Sequence, residues 1–173
     1  MLSHLPVDFT VFPSDALEVH NEQLTVREVC QVNAYRKART VAKQFPDHLV
    51  LGADTLVSLN NRLFGKPADI TEAERMLSEL QGKTHEVVTG VCLMHLRSHR
   101  VKTFSETTWV TFKELDPEDI HNYVMKVATL DKAGAYAIQE FGDLLVEGVD
   151  GSYDNVVGLP TESLRSAFAE WRA

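Results

Sequence analysis

Basic residues are the minority in this 173-residue chain: 17 lysines and arginines stand against 25 aspartates and glutamates, a net charge of −8. So acidic a chain lacks the basic face that holds nucleic acid polymers through their phosphates, so none is expected as a partner. A single nucleotide is still open to it, because a metal ion can supply positive charge locally. Cysteine is scarcer: Cys30 and Cys92 lie far apart among apolar neighbours and read as reduced thiols packed as small hydrophobes. There is no C-x-x-C or H-E-x-x-H spacing, and the seven histidines are scattered, which argues against a zinc site. No stretch approaches the roughly 18 consecutive apolar residues of a membrane helix, so no membrane association is expected. "MLSHLPVDF" has neither a charged n-region nor a long apolar h-region, so a signal peptide is not expected and the compartment expected is the cytoplasm.

What is present is an ordinary globular composition, 44% hydrophobic and 24% charged, at a length that suits one domain or one domain with a small lobe. "VDFTVF" (residues 7–12) alternates and then meets Pro13 and Ser14, which predicts a strand and a turn. From Thr25 to Phe45 apolar residues recur at helical spacing. "HLVLGAD" and "TLVSLN" predict short strands on either side of Asp54, and Asn60-Asn61 predicts a hairpin turn. Thr71 and Glu74 suggest a capping box that opens a helix, which Gly82 can end. "HEVVTGVCLMHL" and "VKTFSETTWVTF" predict two long strands joined at 97–100. Asp116 and Pro117 start a helix, "DLLVEGVDG" predicts a strand, and a last helix comes after "GLP" and ends at Trp171. Strands and helices mix without strict alternation, so the fold class is α/β or α+β around a mixed sheet.

Three polar knots interrupt the apolar pattern. Asp54, beside the small Gly52 and Ala53, is out of place in a strand. It is either a turn cap or a carboxylate that binds a hard cation or takes a proton from water. Lys66, in "GKP", either belongs to a plain turn or points an ammonium at an anion. "LDKAGAYAIQEFG" carries Lys132 and then Gln139, whose amide offers the donor and acceptor that suit a nucleobase edge. "DGSYDNVVGLP" leads into a helix N-terminus, a natural anion position.

Together "GADT", "GKP", "GKTHEVVTGV", "DKAGAYAIQ" and "DGSYDNVVGLP" resemble, in order and spacing, the Maf family of nucleoside triphosphate pyrophosphatases, over nearly the whole chain. The resemblance implies one Maf-like domain over 1–173. Its fold would be α/β, an elongated mixed central sheet flanked by helices with two lobes around a cleft, similar to inosine triphosphate pyrophosphatases. It implies Mg²⁺- or Mn²⁺-dependent cleavage of a nucleoside triphosphate to the monophosphate and pyrophosphate. By motif, Asp54 activates water or holds the metal, while Lys66 and Lys37 face the phosphates. Thr55 and Gln139 match positions tied to base choice, and Lys132 joins them as a substrate-binding candidate. "GADT" with "AIQ" is similar to the branch acting on dTTP and UTP, with modified pyrimidine nucleotides as further candidate substrates. The hairpin would then return Lys66 towards the metal and phosphates that Asp54 addresses. The family often forms homodimers, which is kept as an expectation of the resemblance alone.

Two departures stand out. The family opens with a strand and a Ser-x-Ser-Pro-Arg-Arg loop that cradles the triphosphate, whereas "MLSHLPVDFTVFPSD" matches the family pattern downstream of both. The expectation is a chain truncated at its N-terminus relative to the family. It is either an ordinary enzyme so shortened, or a catalytically weakened or inactive nucleotide-binding or regulatory protein. A missing inner strand would leave unpaired edges and lower stability, or call for repair by a partner chain. The family also places a metal-binding acid where Leu17 falls, so Glu18 or Asp15 would have to serve.

Overall fold

The computed structural model describes residues 8–21 and 23–172. Among them five strands form one sheet in the order β2-β1-β3-β4-β5: β1 is Val50–Leu59, β2 Arg62–Phe64, β3 Thr84–His95, β4 Arg100–Phe112 and β5 Val146–Asp150. The edge pairings β1–β2 and β4–β5 are antiparallel. The helices are α1 (Val26–Ala42), α2 (Ile70–Leu80), α3 (Pro117–Val124), α4 (Gly142–Leu145), α5 (Tyr153–Val157) and α6 (Thr161–Arg172). This is the α/β class the sequence implied. No helix among the described residues is long and apolar enough to cross a membrane.

Several elements form as their residues dictate. Thr25 and Glu28 close a capping box on α1. Asn60 and Asn61 both take positive φ, 51° and 64°, which the two-residue turn between β1 and β2 requires. Asp116 caps α3, with Pro117 in its first turn.

Others differ from the sequence reading. The strand expected over 7–12 is not formed at residues 8–12, which are irregular, and Val7 lies outside the described residues. Phe12 instead packs against Phe45, ring centroids 4.5 Å apart and planes tilted by 45°. Asp54 does not separate two strands; it sits inside the continuous ten-residue β1. Asp69, not Thr71, caps α2, its side chain accepting the Glu72 N–H at 2.8 Å. Residues 143–145, expected in a strand, form the helical turn α4, and residues 153–157 of the expected loop form α5.

The chain forms two compact units. The first takes the described residues up to Thr55, with Thr89–Glu106 and those from Gly158 onward. There β3 is buried on both faces. Cys92 and Met94 pack under Ala34, Ala38 and Ala42 of α1, while Val91 and Leu93 pack with Leu164 and Ala167 of α6. A strand covered on both sides needs an unbroken apolar run, which "VCLM" supplies. Burial pushes the Cys92 thiol up to about 12, so it stays protonated and packs as a hydrophobe.

The second unit, Leu56–Val88 with Thr107–Val157, centres on Val57, Phe64, Leu77, Leu80, Phe112 and Tyr123. His85 is buried in it, edge-on to Phe112 and Tyr136, with Nε2 2.9 Å from the Tyr136 hydroxyl. Burial pushes its pKa down to about 4. The unfolded chain, with a histidine near 6.5, therefore binds the proton first as pH falls. The stability His85 contributes is complete above about 6.5 and is lost towards 4, about 3 kcal/mol in all. In urea titrations between pH 7 and 4, His85→Phe should show a shallower loss of stability than the unsubstituted protein. Parallel pH profiles for the two would contradict this.

Candidate active site

In the first unit the period of β1 decides which side chains meet α1. Gly52 touches the backbone of Ala34 and Ala38, whereas Leu51 and Ala53 pack on the α6 side. Asp54 therefore faces α1, because alternate residues of a strand share a face. On α1, Asn33 and Lys37 are four residues apart and so present to one side. The outcome is a compact polar cluster. Lys37 Nζ lies 2.6 Å from Asp54 Oδ1 and 2.7 Å from Glu18 Oε1, and Asn33 Nδ2 donates to Asp54 Oδ2 at 3.0 Å. Asp54 and Asn33 are buried. An aspartate that looked misplaced in a strand is accommodated because both its oxygens accept hydrogen bonds.

Burial works to lower the Lys37 pKa, but the hydrogen bonds and charges of Asp54 and Glu18 outweigh it and hold the group above its ordinary value. Lys37 stays an ammonium at any working pH. Thr55, the next residue along β1, points to the other face, where its hydroxyl shares a 2.9 Å hydrogen bond with Thr89. Of the two acids weighed near Leu17, Glu18 reaches the cluster, while Leu17 itself is 79% exposed and Asp15 is exposed.

The second unit holds the other candidates. Lys66 is exposed two residues beyond β2. Its neighbour Gly65 accepts the N–H of Gly134 at 3.0 Å, joining the Lys66 loop to the loop of Lys132 and Gln139. Gly134 has φ 69°, and a Cβ there would come 2.9 Å from Val57 Cγ2, so this crossing requires glycine. The loop is pinned further on by Tyr136 on His85 and by the Tyr123 hydroxyl, which accepts the Ala137 N–H at 3.1 Å. Gln139, two residues later, is exposed, and Lys132 Nζ lies 3.0 Å from Asp131. In the third knot Asn155 is buried, donating to Val87 O and Thr108 Oγ1, both at 3.0 Å.

A family model described as Maf-like protein matches residues 1–171. The chain belongs to the Maf family. It is 43% identical over 164 residues to a dTTP/UTP pyrophosphatase of Pelotomaculum thermopropionicum, covering 95% of this chain and 86% of the relative. A protein of the same name from Gloeobacter violaceus is 43% identical over 171 residues, 99% of this chain and 89% of the relative. One from Acetivibrio thermocellus is 44% identical over 167 residues, 92% and 83% of the two chains.

Two features of this Maf chain bear on its chemistry. Among the described residues no three His, Cys, Asp or Glu side chains group to hold a metal ion. Asp54 and Glu18 nonetheless place hard oxygen atoms within 2.7 Å of one positive centre, the Lys37 ammonium. Two carboxylates completed by substrate phosphates are the donor set that Mg²⁺ prefers, so the residues present fit such an ion. The second feature is Asn33, which sequence reading passed over. Its signal was there: it falls on the same helical face as Val29, Cys30 and Ala34, where an amide needs partners.

Proposed function

We propose that this protein hydrolyses dTTP and UTP to the monophosphate and pyrophosphate. The observation that carries the reading is the cluster of Asp54, Lys37 and Glu18, a carboxylate pair and an ammonium running from a buried strand position to the exposed edge of α1. The activity name borne by the relatives favours an enzyme over a non-catalytic binding protein.

Water attacks phosphorus, the P–O bond to the pyrophosphate leaving group breaks, and negative charge grows on the leaving oxygens. Asp54 is the group that orients the water and takes its proton. Lys37 is anchored by two carboxylates and offers a fixed positive charge to a phosphoryl oxygen; by motif Lys66 is assigned to the phosphates, and Lys132 is kept as a substrate-binding candidate. Asp54 and Glu18 would hold a divalent cation, Mg²⁺ or Mn²⁺, which neutralises phosphate charge when bound. Gln139, at the end of the pinned loop, pairs its amide with the O4 and N3–H edge of uracil or thymine, and Thr55 is assigned to base choice by its motif.

A lost hydrogen-bond partner in such pairing is worth about 1–3 kcal/mol, roughly five- to 150-fold in preference. Pyrophosphate release with Mn²⁺ should therefore favour UTP and dTTP over ATP, GTP and 7-methyl-GTP. Gln139→Glu should erode that preference without changing the unfolding midpoint, since Gln139 is exposed. A purine preference, or an unaltered ranking in the variant, would refute the assignment.

A further inference from the structure

The geometry points to Asn33 as a positioning residue that fixes Asp54 and Glu18 relative to each other. The inference rests on the reading of Asp54 given above and adds a residue that the motifs do not name. Asn33 is the polar member of the buried face of α1, alongside Val29, Cys30, Ala34, Ala38 and Ala42. An amide there is unfavourable unless it is bonded. It makes three bonds: Nδ2 donates to Asp54 Oδ2 at 3.0 Å and to Val19 O at 3.2 Å, and Oδ1 accepts the Val19 N–H at 2.7 Å.

These partners leave one orientation for the amide. Rotated by half a turn, its oxygen would face the Asp54 carboxylate and the Val19 carbonyl, and its NH₂ would face the Val19 N–H. The two bonds to Val19 hold the backbone of the residue next to Glu18, whose carboxylate reaches the same ammonium as Asp54. One side chain thus grips an acid directly and, through the backbone, sets the placement of the other. The segment it holds is irregular, with no ladder of its own, and Ser14 Oγ adds a longer bond to Lys37 O at 3.4 Å. Outer partners of this kind set the orientation of carboxylates that bind metal, and their loss typically weakens binding or turnover about ten- to a hundredfold.

The test is a double-mutant cycle read on the full chain. Mn²⁺ binding is followed by electron paramagnetic resonance without nucleotide, and kcat and KM are measured with dTTP. Asn33→Leu, close in volume but without polar atoms, should weaken Mn²⁺ binding about ten- to a hundredfold. It should lower kcat by a similar factor and change KM less. In an Asp54→Asn background the same substitution should weaken Mn²⁺ binding far less, because part of what it disturbs is already gone. A folded Asn33→Leu with unchanged Mn²⁺ affinity and kcat would overturn the proposal, as would a full additive loss in the Asp54→Asn background. Should Asn33→Leu not fold, Asn33→Ala puts the same question while leaving room for water. Mn²⁺ binding without any nucleotide turnover would count against the hydrolase reading alone, since the Mn²⁺ cycle still decides the role of Asn33.

Discussion

Asp54→Asn should lower the turnover of dTTP by about 10²- to 10⁴-fold, the usual contribution of a general base. The substitution keeps the shape of the side chain and one acceptor oxygen. If Asn33 still donates to that oxygen, the new NH₂ faces the Lys37 ammonium, which Asp54 Oδ1 meets at 2.6 Å, while Lys37 keeps its ion pair with Glu18 at 2.7 Å. Part of the effect is therefore a loss of stability, which has to be measured apart from the chemistry. What disappears is the negative charge to which the proposed reaction assigns the proton of the attacking water. Steady-state kinetics alongside a thermal melt separates the two: a large fall in kcat at a temperature well below the variant's own melting transition is the expected result. Turnover within a few-fold of normal would remove Asp54 from the chemistry.

The second large effect is structural. Gly90 lies where β3 passes beneath α1, and a Cβ there would stand 2.3 Å from the Cys30 carbonyl carbon and 2.4 Å from its oxygen. Those are backbone atoms of a helix, so no rotamer change relieves the overlap. Gly90→Ala must push α1 off the sheet, at a cost of about 3 kcal/mol or more. For a chain of this size that is a fall in melting temperature of roughly 6–12 °C. The same displacement shifts Asn33 and Lys37, one and two turns further along, so activity should fall more than the melt alone explains. Gly148→Ala is the control: nothing lies within 4 Å of its added Cβ, and its melting temperature should hardly move. Equal behaviour of the two variants would mean that the helix does not sit as closely as described.

Local signals were reliable where local chemistry decides. The Asn60-Asn61 turn, the Asp116-Pro117 start of α3 and the period of α1 each depend on residues a few positions apart, and each was legible. Asp54 was misread as a strand boundary because strand propensity penalises aspartate, while the partners that accommodate it, Asn33 and Lys37, lie 21 and 17 residues away in sequence. The cap of α2 was misplaced by two residues because Asp69 and Thr71 are both good caps, and only the bond to the Glu72 N–H separates them. Motif matching brought forward Asp54 and Lys37, while Glu18 entered, beside Asp15, as a stand-in for the acid that the motif lacks at Leu17. It could not bring forward Asn33, whose part is visible only in what its amide touches.

The double-sided burial of β3 also sets a timescale. Its backbone amides are paired to strands on both sides in the middle of the sheet order, with apolar side chains above and below. Small fluctuations that loosen the edge strand β2 or the irregular segment before α1 do not uncover it. Deuterium should therefore reach the amides of Val91–Met94 only when the whole structure opens, so their exchange rates report global unfolding. The irregular segment that carries Glu18 should label far earlier, so the two ends of the first unit's exchange range lie in β3 and in that segment.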